Sequence, residues 1–354
     1  MIIRSTMMET EQDLDNSSPS LELDEKSEGV DDVAALVVAC TEISQLIRTM
    51  GHVGTAQCAE IIMRKSENVK VVKHQFPGAI PSAEVLAKVS KVIERRGYTA
   101  ANTLFAQSIC PDEINHDKGD ITSLFKHYLG EVFHLGGLAG IPFTGKTGFS
   151  TFSDHVPDDG HCFVLMAPHV GLDDSSEFGK YSRAGQSGGA GIACSAAIGA
   201  FAHCCSNEPL PDLNEITDDY QMAFLTHQFD NRKEIILAAA GTTDVNAMQS
   251  ELAKQTHAIA TDMLDNIVNA NFGGEASTLV ILTGIQINMP RPFNDYFQPL
   301  SFYIIDKEGH QHDLYEDTFG IAGLTSDSSH QRKKKKKAKR RSNNIENQAG
   351  PSES

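Results

Sequence analysis

The stretch "HCFVLMAPHVG", residues 161–171, runs without a polar interruption from Cys162 to Ala167 and then stops at Pro168 and His169. An unbroken apolar run of that length, ended by proline, reads as a strand buried on both faces. "TLFAQSICPDEIN", residues 103–115, repeats the device, with a run of strand length that ends at Cys110 before a polar loop. The segment before it, "PSAEVLAKVSKVIERRG" (81–97), carries apolar residues at helical spacing and is stopped by Gly97. Helix, strand and polar loop in alternation specify an α/β fold.

Working outward, "DDVAALVVACTEISQLIRTMG" predicts a helix over about 32–50, and "TAQCAEIIMRK" (55–65) a second. "GGAGIACSAAIGAFAHCC" (188–205) is rich in small residues and of helical length, fit to pack closely on the sheet. A long amphipathic helix is expected over 243–272, a further strand in "STLVILTGIQINM" (277–289), and a hairpin in "SFYIIDKEGHQHDLYED" (301–317). Residues 1–28 are acidic and Ser-rich, which predicts disorder; 29–324 form the folded domain; 325–354 read as a disordered basic tail.

The chain has 354 residues, is 40% apolar and carries a formal net charge of −17. No apolar run reaches the ~18 residues of a membrane span and no signal-peptide core is present, so the expected location is the cytosol, or the chloroplast if a targeting segment has been removed. The tail "RKKKKKAKRR" holds nine of the thirty basic residues, which leaves the body more acidic than the net figure. Such a body repels nucleic acid, so any polyanion contact falls to the tail. Seven cysteines without even spacing read as reduced thiols, with Cys40, Cys58, Cys162, Cys204 and Cys205 as small core residues.

"GIPFTGKT" (140–147) matches the phosphate-loop pattern G-x-x-x-x-G-K-[ST]. Its flanks argue against that reading: the glycines of "VFHLGGLAG" interrupt a strand, and "GFSTFSDHVPDDG" leaves no room for a long helix. Pro142 also removes an N–H that phosphate would need. "LSFYIID", ending at Asp306, mimics a magnesium-binding strand, but "KEGHQ" after it reads as a hairpin turn.

Ligands of open α/β sheets bind beyond the carboxyl ends of the strands. Cys110 and His169 stand at two such ends and share one edge if the strands are neighbours. Either Cys110 is a nucleophile with His169 as its base, or both are ligands of a metal such as zinc. Cys194, near the start of the small-residue helix, is the candidate third ligand, and three protein ligands leave one position open. A reading of both thiols as core residues stays open on spacing alone.

The series "CPDEIN", "GGLAGIPFTGKTGFSTFSDHVPDDGH", "APHVG", "GKYSRAGQ" and "CSAAIGA" resembles the limiting-CO2-inducible B/C proteins, related to the beta carbonic anhydrases and overlapping the theta class, over about residues 30–320. The resemblance implies a beta-carbonic-anhydrase-like fold with a mostly parallel central sheet flanked by helices, a homodimer, and zinc held by Cys110, His169 and Cys194. It implies Asp112 and Arg183 as the catalytic carboxylate and guanidinium, and reversible hydration of CO2 to bicarbonate and a proton by attack of zinc-bound hydroxide. Zinc lowers the pKa of its bound water from 15.7 to ~7. Asp112 would aim the hydroxide and Arg183 would fix Asp112 through a charge-assisted pair. The runner-up is a catalytically inactive zinc-binding subunit of a CO2-concentrating or bicarbonate-handling complex. Phe143, Phe149 and Phe152 are candidates for an apolar wall around CO2, and His155 and His161 for a proton relay. The resemblance also recasts 136–148 as a loop whose glycines permit close backbone passage beside the site. Ser195, where many relatives have glycine, is a departure. Removal of residues 325–354 is expected to leave fold and activity intact, as read by circular dichroism and CO2 hydration.

Overall fold

The computed structural model describes residues 55–320 apart from 117–118, 157–159, 184–188, 207, 215–217, 242–243 and 272–277. The helix expected at 32–50, the acidic N-terminus and the basic tail lie outside these residues. The chain divides into two compact units, 1–62 and 63–354, and the sheet and site belong to the second.

In chain order the elements are α1 (Thr55–Gln75), β1 (Ile80–Pro81), α2 (Ser82–Glu94), β2 (Thr103–Ile109), α3 (Ile121–Leu129), β3 (Val132–His134), α4 (Gly145–Asp154), β4 (His161–Ala167) and β5 (His169–Gly171). There follow β6 (Lys180–Tyr181), β7 (Gly191–Ile192), α5 (Ser195–Cys205), α6 (Tyr220–Asp230), α7 (Lys233–Ala240) and α8 (Val245–Asn271). The described part closes with β8 (Thr278–Asn288), β9 (Tyr296–Ile305), β10 (Gln311–Asp313) and α9 (Tyr315–Phe319).

The main sheet has the order β1-β9-β8-β4-β2-β3, with β10 on β9 and β5 on β8. Its centre, β8-β4-β2-β3, is parallel, while β9 runs antiparallel to β8, β1 and β10. The fold is thus α/β with a mostly parallel sheet between helices. β2 and β4 pair without a shift from Thr103 opposite His161 to Ile109 opposite Ala167, so both strands stop at one level. Pro168 then interrupts β4. Its carbonyl accepts from the Gln286 N–H at 2.9 Å, and His169 resumes pairing with β8 opposite Gln286.

Alternation along the strands feeds two cores. Cys162, Val164 and Met166 of β4 face a cluster with Phe149 and Phe152 of α4, Ala197 and Ala200 of α5, Phe229 of α6 and Ile259 and Leu264 of α8. Phe163, Leu165 and Ala167 face the other cluster, with Val85, Val89 and Ile93 of α2 and Ile121, Phe125 and Leu129 of α3. The i, i+4 spacing of those α2 residues puts them on one helix face. Helix α3 starts where Asp120 accepts from the Ser123 N–H at 2.6 Å and ends at Gly130, whose φ of +100° suits glycine.

Three expectations need correction. The segment 188–205 is not helical throughout: its first part is β7, paired with β6, and the helix begins only at Ser195, because Cys194 holds φ +55°. Cys205 is exposed rather than a core residue, while Cys162 and Cys204 are buried as expected. A ten-residue helix, α4, does follow "GIPFTGKT", contrary to the reading of its flank. The loop still offers no phosphate cradle, because the N–H groups of Gly140, Ile141, Phe143, Thr144 and Gly145 already donate to main-chain carbonyls. Asp306 stands at the start of the β9–β10 hairpin, where its N–H donates to the carbonyl of His310.

Phe125 is fully buried and packs against Phe163 and Phe105, with ring centroids 5.1 and 6.1 Å away. Phe125→Ala leaves a cavity between α3 and the sheet, and its expected cost is about 3–5 kcal/mol of unfolding free energy in denaturant titrations.

Candidate metal centre

Cys110 follows the last residue of β2 directly and His169 opens β5, so the level ending of β2 and β4 brings a thiol and an imidazole to one sheet edge. Cys194 arrives from the other side as the residue before α5, with left-handed backbone at φ +55° and ψ +58°. One ligand atom from each of Cys110, His169 and Cys194 lies within 4.8 Å of the other two, and all three residues are buried. The group could hold a metal ion.

The donor set fits a soft or borderline ion such as zinc. His169 Nδ1 lies 2.8 Å from Asn288 Oδ1, while the buried Nε2 has no hydrogen-bond partner and faces the thiols. A buried imidazole nitrogen without a partner is costly unless something coordinates it. The thiols behave as a pair: the Cys194 thiol holds Cys110 down to about 4, against the effect of burial and with help from His169, and Cys194 is pushed up by the neighbouring Cys110 and by burial. His169 is raised; burial opposes this, and the negative charge of Cys110 overcomes it.

Asp112, two residues beyond Cys110, has a largely buried carboxylate, 8% exposed. Its Oδ1 accepts from the Arg183 guanidinium at 3.2 Å, its Oδ2 accepts from the Cys194 N–H at 3.1 Å, and Oδ2 stands 3.9 Å from His169 Nε2. Arg183 is held further by the carbonyl of Ile192 at 3.0 Å and by Glu113. All five residues singled out in the sequence, Cys110, Asp112, His169, Arg183 and Cys194, therefore meet in one place.

Gly140 explains the loop at 136–148. Its φ is +78°, and a Cβ there would meet Pro168 Cα at 3.2 Å and Cys110 N at 3.3 Å. The loop passes directly across the ends of β2 and β4, and only a residue without a side chain fits. Ser108 Oγ donates to the Gly140 carbonyl at 2.9 Å and fixes the crossing.

The model of the family described as limiting CO2-inducible proteins B/C beta carbonic anhydrases matches residues 79–306, more than half of the chain. The chain belongs to this family. Among solved structures it is similar to PtLCIB4, a homolog of the limiting CO2-inducible protein LCIB, at 28% identity and a TM-score of 0.61, over 69% of this chain and 98% of that one. LCIB itself shares the fold, at 17% identity and a TM-score of 0.51, over 68% of this chain and 95% of that one. A comparison with curated proteins returned no match.

The other residues expected around the site take the following places. His161 sits at the opposite end of β4, about 20 Å from the site at ~3.3 Å per residue, where it contacts Tyr98 and Thr278. His155 packs on Phe133 at the end of α4. Phe149 and Phe152 are fully buried core residues and Phe143 packs on Phe224; the small cavity beside His169 and Cys194 is lined instead by residues of α5 and α8, among them Ala197, Ile198, Leu252 and Thr256. Ser195 takes the first regular position of α5 with its side chain exposed, so the departure from glycine there is accommodated. Sequence reading missed Glu113 and the amides Asn115, Gln286 and Asn288. The signal for the last two was present: polar residues within the apolar run "ILTGIQINM" must find buried partners.

Gly140→Ala forces a side chain against both strand ends in a backbone region that disfavours it. The expected result is a lowered melting temperature together with weaker binding of added metal, measured by calorimetry and elemental analysis.

Proposed function

We propose that this chain is a zinc-dependent carbonic anhydrase, a lyase that interconverts CO2 and water with bicarbonate and a proton. The observation that carries the reading is the meeting of two thiols and a partnerless imidazole nitrogen with an Asp112–Arg183 pair. Family membership supports it. Cys110, His169 Nε2 and Cys194 would hold the ion, leaving one position for water or substrate. When bound, zinc acts as a Lewis acid that makes hydroxide available at neutral pH.

The chain's own groups then set direction. Asp112 accepts the hydrogen of the attacking hydroxyl and so turns a lone pair toward the carbon of CO2. One carbon–oxygen bond forms as one C=O π bond opens onto its oxygen, which takes the negative charge, so hydroxide and CO2 give bicarbonate; the proton lost when water supplies the hydroxide goes to solvent. Asp112 itself is oriented from two sides, by the Cys194 N–H and by Arg183. Arg183 is in turn braced by the Ile192 carbonyl and Glu113, so its Nη2 is held against the carboxylate. A fixed acceptor needs no reorganisation as the new bond forms. The same reading carries the homodimer, which analytical ultracentrifugation would test.

The purified chain is expected to contain one zinc per protomer and to hydrate CO2 in a stopped-flow assay. Cys110→Ser or His169→Ala strips most of the metal. Asp112→Asn and Arg183→Ala keep zinc and fold but lose about 10²–10³ in rate, the scale for removing one orienting group. Zinc-loaded protein with no activity would instead favour a non-catalytic subunit.

A further inference from the structure

Behind His169 lies a buried polar network that neither metal binding nor the hydration step uses directly. Asn115, Gln286 and Asn288 are fully buried and Asp295 is 8% exposed. Asn288 is its hub. Its Oδ1 faces His169 Nδ1 at 2.8 Å, and its Nδ2 faces three acceptors: Ile114 O at 3.3 Å, Asn115 Oδ1 at 3.2 Å and Asp295 Oδ2 at 3.2 Å. Asp295 Oδ1 accepts from the Met289 N–H at 2.8 Å, and its Oδ2 also takes Gln286 Nε2 at 3.4 Å.

The direction of the Asn288 carboxamide decides which ring nitrogen of His169 carries the proton. An amide oxygen can only accept, so facing Nδ1 it requires Nδ1–H and leaves the lone pair on Nε2. A flipped amide would present N–H to Nδ1 and put the proton on Nε2. That alternative has its own support, because the Asp112 carboxylate lies 3.9 Å from Nε2 and would attract a proton there. Of the three acceptors that hold Asn288 Nδ2, Asp295 is the one that carries a charge. Burial raises Asp295 to about 7, so its charge is complete only above that pH.

We propose that Asp295 is a positioning residue for the metal centre: by orienting the Asn288 carboxamide it holds His169 as the Nδ1–H tautomer, with its Nε2 lone pair turned to the ligand pocket. The inference rests on the metal-centre reading above for its purpose, but the tautomer can be read without metal. Outer partners of this kind typically alter metal affinity 10–100-fold.

The test is Asp295→Asn in the full chain. The new oxygen still accepts from the Met289 N–H, so the new NH2 is aimed at the NH2 of Asn288, and the preference for one amide orientation is weakened, Ile114 O and Asn115 Oδ1 alone supporting it. Long-range proton–nitrogen correlation spectra are recorded at pH 8.5 on metal-free protein in a Cys110→Ala/Cys194→Ala background, where no thiolate competes for the Nε2 proton. His169 is expected as Nδ1–H with Asp295 present, and shifted toward Nε2–H once Asp295→Asn is added. With the native thiols, Asp295→Asn is expected to weaken zinc binding 10–100-fold in chelator competition. An Nε2–H tautomer in the background protein that keeps Asp295 overturns the proposal whether or not the substituted chain folds. So does an unchanged tautomer with zinc affinity within twofold. Absence of zinc from the wild-type chain would instead overturn the reading of the site itself.

Discussion

Unshifted parallel pairing of β2 with β4 is the constraint on which the site depends. Seven rungs in register make Ile109 and Ala167 end side by side, so Cys110 follows at once on one strand and His169 stands just past Pro168 on the other. A slip of one residue would send Cys110 to the other face and separate it from His169. The pairing is secured by burial on both sides, since alternate residues of β4 belong to two different cores. Past the proline at 168 the chain keeps β8, the partner it already had along β4, and leaves β2, so His169 stands opposite Gln286.

That edge is crowded, and the crowding gives order. The Gly140 crossing lies on the strand ends, Asn115 Nδ2 donates to the Cys110 carbonyl at 3.2 Å, and the Cys194 N–H is held by Asp112. Each candidate ligand is thus fixed by a neighbour other than a metal. Asp112 links two layers at once, joining the segment after β2 to the residue before α5 and, through Arg183, to β7.

Much of this was legible in the sequence because apolar strands that stop at polar residues declare both the sheet and its functional edge. Helices α2 and α8, strands β4 and β8 and the β9–β10 hairpin follow from periodicity and glycine stops. The five site residues came from strand ends and family motifs. Where reading failed, tertiary contact decided. The glycines at 189 and 191 were a local sign against a helix there, and pairing with β6 makes Gly191–Ile192 a strand. His161 was named as a relay candidate as a titratable histidine of the motif region, but it starts β4 while the candidate ligands stand past the strand's other end. The amide network was invisible as a unit because Asn115 lies more than 170 residues before Gln286, Asn288 and Asp295.

Cys194 gives one more consequence. A non-glycine residue in left-handed backbone costs roughly 1–2 kcal/mol, and glycine would sit there at almost no penalty. Backbone conformation alone therefore favours glycine at this position, and the packing and chemistry of the buried sulfur oppose it. A descendant that had lost its chemistry would be free to relax, so the identity of residue 194 records whether a lineage still has work for the site.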